Sequence, residues 1–284
     1  MAVFDSALKF KRIFPKKRLG QHFLVDKNIL ARIISTAQIG RGEHVLEIGP
    51  GGGNLTECLL NAGARVVAVE IDRGLCGHLR ERFLGVENLE IIEGDALKMS
   101  FSGFAGDAGS TMKVVSNLPY NISGPVIAKF LKERAAFSAM LLMLQKEVAE
   151  RLVARPSTKE YGALTVLTRA YAEVKREFDV PPGAFRPAPK VTSTVVSIRV
   201  LPAPAVNIDD EAFFWFVVKG AFSHRRKTII NSLAGSIGLS KPQIASALSD
   251  CAIAAQRRPE TLALDEFGAL AKALKGFYGI SAVN

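Results

Sequence analysis

The chain has 284 residues, 48% apolar and 23% charged, proportions ordinary for a globular protein with one large domain and a smaller one. Its longest apolar runs, Ala139–Leu144 and Phe213–Val218, fall far short of the roughly 20 residues of a membrane span, and the start shows no secretory pattern, so a cytoplasmic protein away from membranes is expected. The net charge of +10 suits a polyanionic partner.

Basic residues gather near the N-terminus at Lys16, Lys17 and Arg18, and again at Arg225, Arg226 and Lys227. Such clusters favour a binding face over diffuse solubility charge. Cys58, Cys76 and Cys251 are odd in number and far apart, which speaks against a disulfide framework. The histidines His22, His44, His78 and His224 lack ligand spacing, so no metal is expected.

From Glu43 to about Val200, short β-branched runs alternate with amphipathic stretches. The runs His44–Ile48, Arg65–Val69, Leu89–Ile92, Lys113–Ser116, Ala139–Leu144 and Thr192–Val200 predict strands. Between them Leu55–Leu60, Leu75–Leu84 and Val126–Arg134 predict helices, with Ser123 as an N-cap, Pro125 in a first turn, and Gly63 and Gly85 as terminators. The alternation predicts an α/β fold with a doubly wound sheet. Four prolines between Pro181 and Lys190 exclude a central strand or a helix there and predict an ordered loop. Beyond Leu201–Val206 the stretches Asp209–Phe222, Lys227–Ala234, Lys241–Cys251 and Pro259–Phe277 are helix-forming, which predicts a small C-terminal all-helical domain over 204–284 after a larger one over 1–203.

The first strand runs into Glu47-Ile-Gly-Pro-Gly-Gly-Gly-Asn54, a glycine-rich turn before a helix. Glycines permit positive φ and close backbone approach, and helix N-terminal amides favour polar ligand groups, so a nucleotide-like cofactor is expected. Asn54 stands where a dinucleotide fingerprint wants its third glycine. The next strand ends at Glu70, suited to ribose hydroxyls, and the third runs into Glu93-Gly-Asp-Ala96. In an open α/β sheet the carboxyl ends of strands meet at one crevice, which would gather Gly49, Glu70 and Asp95 in one pocket. This pattern resembles class I S-adenosylmethionine-dependent methyltransferases, with their Rossmann-like domain. The resemblance implies that Asp95 contacts the cofactor adenine and that Glu47, Gly51, Ile71, Ala96 and Asn117 also line the cofactor site.

The fourth strand enters Ser116-Asn-Leu-Pro-Tyr-Asn121, which resembles the (N/D)PPY-type motif of amino-group methyltransferases. The side-chain oxygen of Asn117 and the Leu118 carbonyl are placed to accept the two protons of an adenine amine, with Pro119 shaping the turn and Tyr120 stacking on the extruded base. Further blocks stand at Lys17–Leu24, Gln145–Arg151, Phe185–Val191, Arg225–Thr228 and Arg258–Leu262. With them nearly the whole chain resembles the small-subunit rRNA adenine dimethyltransferases. That resemblance implies S-adenosylmethionine as cofactor and dimethylation of two adjacent adenines near the 3′ end of small-subunit rRNA, acting on assembly intermediates as a monomer. It also implies that Gln21, His22 and Leu24 cover the cofactor and that Phe185 faces Tyr120 across the target base. One departure is His22, which stands where asparagine is common. Prolines around Phe185 suit a fixed stacking platform, or an aromatic that pins the loop. Arg186 and Lys190 lie near the proposed base pocket and suit flanking phosphates. Arg225, Arg226 and Lys227 open a predicted helix, where basic charge opposes the dipole, so RNA contact explains them better than folding does. Glu147 and Arg151, four apart, read equally well as a helical ion pair. The rivals are a large-subunit rRNA adenine methyltransferase of the antibiotic-resistance type, against which the Arg225 and Arg258 blocks and Leu118 speak, and a ribosome-assembly or transcription factor on the same fold.

Overall fold

The computed structural model describes residues 21–104, 111–224 and 226–281. Its strands are β1 (Phe23–Leu24), β2 (His44–Ile48), β3 (Arg65–Glu70), β4 (Leu89–Glu93), β5 (Met112–Asn117), β6 (Phe137–Gln145), β7 (Ala172–Val180), β8 (Phe185–Arg186) and β9 (Ser193–Val200). Seven of them form one sheet in the order β4-β3-β2-β5-β6-β9-β7, while β1 and β8 pair antiparallel as a small separate ribbon. The neighbours from β4 to β6 are all parallel. Parallel strands need crossovers, and α2 (Asn54–Asn61), α3 (Arg73–Arg82) and α4 (Ser123–Lys132) supply helical ones, while α1 (Lys27–Ala37) precedes β2 and α5 (Lys146–Val153) and α6 (Ala163–Tyr171) lie between β6 and β7. The α/β class and the helical C-terminal part read from the sequence are both present.

Local chemistry explains the element ends. Asp26 accepts hydrogen bonds from the amides of Asn28 (2.9 Å) and Ile29 (3.1 Å), satisfying two donors that open α1. Asp72 does the same for Gly74 at the start of α3. Gly63 and Gly85 follow α2 and α3 at positive φ, in the terminating role expected of them. Ser123 is the first residue of α4 rather than the residue before it, and its hydroxyl donates to the Tyr120 carbonyl.

Besides the two-residue strands β1 and β8, three longer elements escaped the sequence reading. α1 and α6 lie outside the stretches read as helical, and β7 carries Glu173, Lys175, Arg176, Glu177 and Asp179, which hide its period. β7 is an edge strand, where charge is tolerated and discourages pairing with another chain. Around Phe185 the expected loop holds a 3-10 turn (Pro182–Ala184) and the two residues of β8, with a cis peptide at Arg186–Pro187.

The chain divides into two compact units, the first within residues 1–126, 133–146 and 177–196, the second within 127–132, 147–176 and 197–284. The first is built on the sheet, with Val45, Leu46, Val66, Ala68, Val114 and Val115 buried along its central strands. The second packs α6 with α7 (Glu211–Ala221), α8 (Ile229–Ala234), α9 (Lys241–Asp250) and α10 (Leu264–Ser281). There Trp215 stacks on Tyr171 at 6.2 Å, and the ring of Phe222 lies 5.7 Å from that of Phe267. Glu147 and Arg151 do form the helical ion pair. Cys58, Cys76 and Cys251 are free thiols, and no helix among the described residues is long and apolar enough to cross a membrane.

Leu46 is fully buried in β2, at the centre of the parallel strands. Leu46→Ala is expected to cost about 2–5 kcal/mol through lost burial and the cavity left behind, read as a lower urea midpoint with an unchanged slope. A wild-type midpoint would remove β2 from the core of the fold.

Candidate active site

β2, β3, β4 and β5 run parallel, so their carboxyl ends lie along one edge, and the loops that leave them line a cavity of about 170 Å³. Around it stand Gln21, His22, Leu24, Glu47, Gly49, Gly51, Glu70, Ile71, Asp95, Ala96, Asn117, Leu118, Pro119 and Tyr120. Every residue expected at the cofactor or in the catalytic turn thus meets at one place, except Phe185.

The glycine turn is shaped by space as much as by conformation. Gly49 and Gly51 have φ of 69° and 58°, in the left-handed region that glycine alone adopts cheaply. A Cβ on Gly51 would sit 2.7 Å from the ring of Phe23, and one on Gly49 would sit 3.0 Å from Pro119. The turn is held from behind by Arg82 of α3, whose guanidinium donates to the Gly52 carbonyl and to Asn54 Oδ1 (3.0 Å) and pairs with Glu57 at 2.5 Å. Asn54 Nδ2 in turn donates to the Leu24 carbonyl at 2.8 Å.

Two acids line the cavity from below. Glu47 is buried and accepts a 2.6 Å hydrogen bond from Thr56 Oγ1; burial pushes its pKa from 4.5 up to about 8 despite that bond. Glu70 accepts from the amides of Asp72 (2.9 Å) and Gly51 (3.3 Å), and burial likewise raises its pKa. Ile71 beside it is 54% exposed, an apolar side chain at the cavity wall. Asp95 caps its own turn by accepting from the Leu97 amide at 3.0 Å.

The turn after β5 carries the feature that most invites a ligand. Asn117 Nδ2 donates to the His22 carbonyl at 3.1 Å, which orients the amide and leaves its Oδ1 buried with no partner among the described residues. A buried acceptor without a donor is costly and marks a place where a ligand N–H would be welcome. Tyr120 stacks on the imidazole of His22, centroids 5.4 Å apart at 27°. His22 Nδ1 lies 2.8 Å from the Pro187 carbonyl, and because a carbonyl only accepts, that nitrogen carries the proton. The bond from Asn117 goes to the His22 main-chain carbonyl and so does not depend on the side chain at position 22. The glycine cradle, the acids at the strand ends and the orphan Asn117 oxygen together fit an S-adenosylmethionine-like cofactor beside a base amine.

Phe185 is elsewhere. It is fully buried in the core beside Val180 and Ala184, opposite Leu24 in the β1–β8 ribbon, and it does not line the cavity. The aromatic partner that Tyr120 meets is His22, and of the two readings of Phe185 the geometry matches the ring that pins its loop. Arg186 and Lys190 are exposed on the segment that follows. Arg226 and Lys227 are exposed and precede α8, whose N-cap is Thr228, so they do not sit in a first helical turn as expected. Lys16, Lys17, Arg18 and Arg225 lie outside the described residues. Thr56, Arg82 and Ser193 escaped the sequence reading; each is a single polar residue whose partner is distant, and only Ser193, two positions past the Phe185–Val191 block, had a nearby signal.

Against known proteins, residues 14–274 match the family model described as ribosomal RNA adenine dimethylase. A ribosomal RNA small subunit methyltransferase A from Geobacter metallireducens is 47% identical over 266 residues, 93% of this chain and 97% of the relative. Among solved structures, a dimethyladenosine transferase from Plasmodium falciparum superposes with a TM-score of 0.68 at 28% identity, covering 88% of this chain and 96% of its own. The 23S rRNA methyltransferase ErmE gives a TM-score of 0.62 at 26% identity, covering 89% and 99%.

The buried Glu47 makes stability depend on pH. Its carboxyl is raised in the folded state, so its contribution is complete below its ordinary value of 4.5 and is lost as pH rises through about 8. Glu47→Gln keeps an acceptor for Thr56 but cannot ionise, so its unfolding free energy in urea should gain on that of the wild type as pH goes from 5 to 8, by on the order of a few kcal/mol. Parallel pH profiles would show that Glu47 ionises in the fold as it does in water.

Proposed function

Since the chain belongs to the ribosomal RNA adenine dimethylase family, we propose that it moves methyl groups from S-adenosylmethionine to the exocyclic amines of two adjacent adenines near the 3′ end of small-subunit rRNA, two to each base. The observation that carries this reading is the orphan Oδ1 of Asn117, a residue that lines the cavity and whose amide nitrogen is tied to the His22 carbonyl. An adenine amine is a poor nucleophile because its lone pair is delocalised into the ring. Asn117 Oδ1 and the Leu118 carbonyl accept its two protons, which favours a pyramidal nitrogen with its lone pair directed at the donor methyl. That is catalysis by position and electrostatics. An amide cannot take up a proton near neutral pH, so the proton is lost to solvent after transfer.

Gly49, Gly51, Glu70, Ile71, Asp95 and Ala96 would hold the cofactor, with Gln21, His22 and Leu24 across it and Glu47 beneath. When bound, it supplies an electrophilic methyl group on a sulfonium. Tyr120 offers the aromatic face on which the extruded base stacks. Arg186, Lys190, Arg226 and Lys227, together with Lys16, Lys17, Arg18 and Arg225, contact phosphates of the RNA. In this reading the helical residues 204–284 face the RNA, and the enzyme acts as a cytoplasmic monomer on an assembly intermediate of the small subunit. The name and 47% identity of the Geobacter relative favour the small subunit over the large.

Small-subunit particles lacking these modifications should accept labelled methyl groups and yield dimethyladenosine by nucleoside mass spectrometry. Asn117→Ala should lower kcat by on the order of 10²–10³ while cofactor binding persists, as for loss of a positioning group at the reacting atom. Transfer to large-subunit RNA instead would select the rival substrate, and tight RNA binding without transfer would select the assembly-factor reading. RNA affinity should also fall steeply with salt, because phosphate contacts release counterions; salt-independent binding would remove the basic residues from the interface.

A further inference from the structure

Tyr120 has a hydroxyl that stacking does not require. It lies 2.6 Å from Oγ of Ser193, which is fully buried at the first position of β9. The ring is therefore fixed at both ends, by the Pro119–Asn121 turn at its root and by a buried hydroxyl on another strand at its tip. Burial raises the phenol's pKa, so the group stays protonated at neutral pH and serves as a hydrogen-bonding anchor rather than a base.

One face of the ring is already taken. His22 stacks on it with centroids 5.4 Å apart, and its own Nδ1 is tied to the Pro187 carbonyl at 2.8 Å. A base held between two rings needs about 6.8 Å, twice the 3.4 Å spacing of stacked bases. With His22 seated, the opposite face of Tyr120 is the one left for a base, and the plane of that face is set by where the hydroxyl is held.

We propose that Ser193 is a positioning residue: by holding the Tyr120 hydroxyl it sets the plane on which the target adenine stacks, and so governs the second methyl transfer to a base more strongly than the first. This rests on the function proposed above. In each transfer one N–C bond forms as one S–C bond breaks, and one amine proton leaves to solvent. Before the first transfer the amine offers two N–H groups to Asn117 Oδ1 and the Leu118 carbonyl. Afterwards it has one, so one anchoring hydrogen bond is gone and alignment leans on stacking. A ring free to tilt penalises that second step most.

The test compares wild type, Ser193→Ala, Ser193→Cys, Tyr120→Phe and the Ser193→Ala/Tyr120→Phe double variant on unmodified small-subunit particles. It reads kcat, KM for particles, the ratio of monomethyl to dimethyladenosine, and cofactor Kd by calorimetry. Ser193→Ala should lower kcat roughly tenfold, the size of one lost hydrogen bond, and raise the monomethyl share several-fold with cofactor Kd unchanged. Ser193→Cys, close in volume but a weak partner, should fall between. In the Tyr120→Phe background Ser193→Ala should change nothing more, since the cycle isolates the pair. An equal loss with and without the Tyr120 hydroxyl would make Ser193 a structural residue of β9 and overturn the proposal, as would wild-type kcat and product ratio in Ser193→Ala. A wild-type chain that makes no methyladenosine removes the function reading and this inference with it, whereas an active wild type with an indifferent Ser193→Ala removes this inference alone.

Discussion

The parallel pairing of β2 with its two neighbours is the constraint from which the site follows. Val45–Ile48 run beside Val66–Val69 on one side, and Val45 and Leu46 beside Lys113 and Val114 on the other, so three strands finish side by side pointing the same way. The alignment continues past the last paired residue: the Gly49 amide donates to the Val69 carbonyl at 2.8 Å, and Ser116 Oγ donates to the Ile48 carbonyl at 2.6 Å. This edge carries the glycine turn after β2 and the last residues of β3 and β5, Glu70 and Asn117. Apolar burial along the strands holds the edge in place, and the polar residues at the tips are spared from contributing to the core.

Residues 21–24 bind that edge into a closed site, partly through main-chain atoms. Gln21 reaches Asp72 at 3.5 Å, the His22 carbonyl receives Asn117, the ring of Phe23 occupies the space above Gly51, and the Leu24 carbonyl receives Asn54. Two of these four attachments use backbone oxygens, which every residue type provides. This segment reaches from the cofactor half of the cavity to the base half, so the orientation of the Asn117 amide depends on a piece of chain that precedes the first long helix.

Much of this was legible in the residues. The sheet strands from β2 to β5 announce themselves as runs with Val or Ile and β6 as an unbroken apolar run, and Gly49, Glu70, Asp95 and Asn117 each stand at a strand's end, where topology alone places them together. β7 was hidden because an edge strand with alternating exposure tolerates the charges that break its pattern. Phe185 shows another limit: prolines around it indicate a fixed backbone, yet the direction in which a fixed ring points depends on what packs behind it, here Leu24 and its neighbours. Thr56, Arg82 and Ser193 could not be singled out because a hydroxyl or guanidinium acquires its meaning from a partner many positions away. Arg226 and Lys227 precede α8, which begins only at Ile229, because helix-forming composition does not mark where a helix starts.

Gly49 and Pro119 belong to different loops, yet a single methyl group on the first would press on the ring of the second at 3.0 Å. The two loops thus touch directly, and this stretch of the cavity lining belongs to both motifs. A side chain at 49 would therefore meet two obstacles at once, the pyrrolidine of Pro119 and a φ of 69° that glycine alone adopts cheaply, and the turn presenting Asn117 starts at that same proline. The two motifs thus constrain each other as one packed unit, although seventy positions of chain separate them.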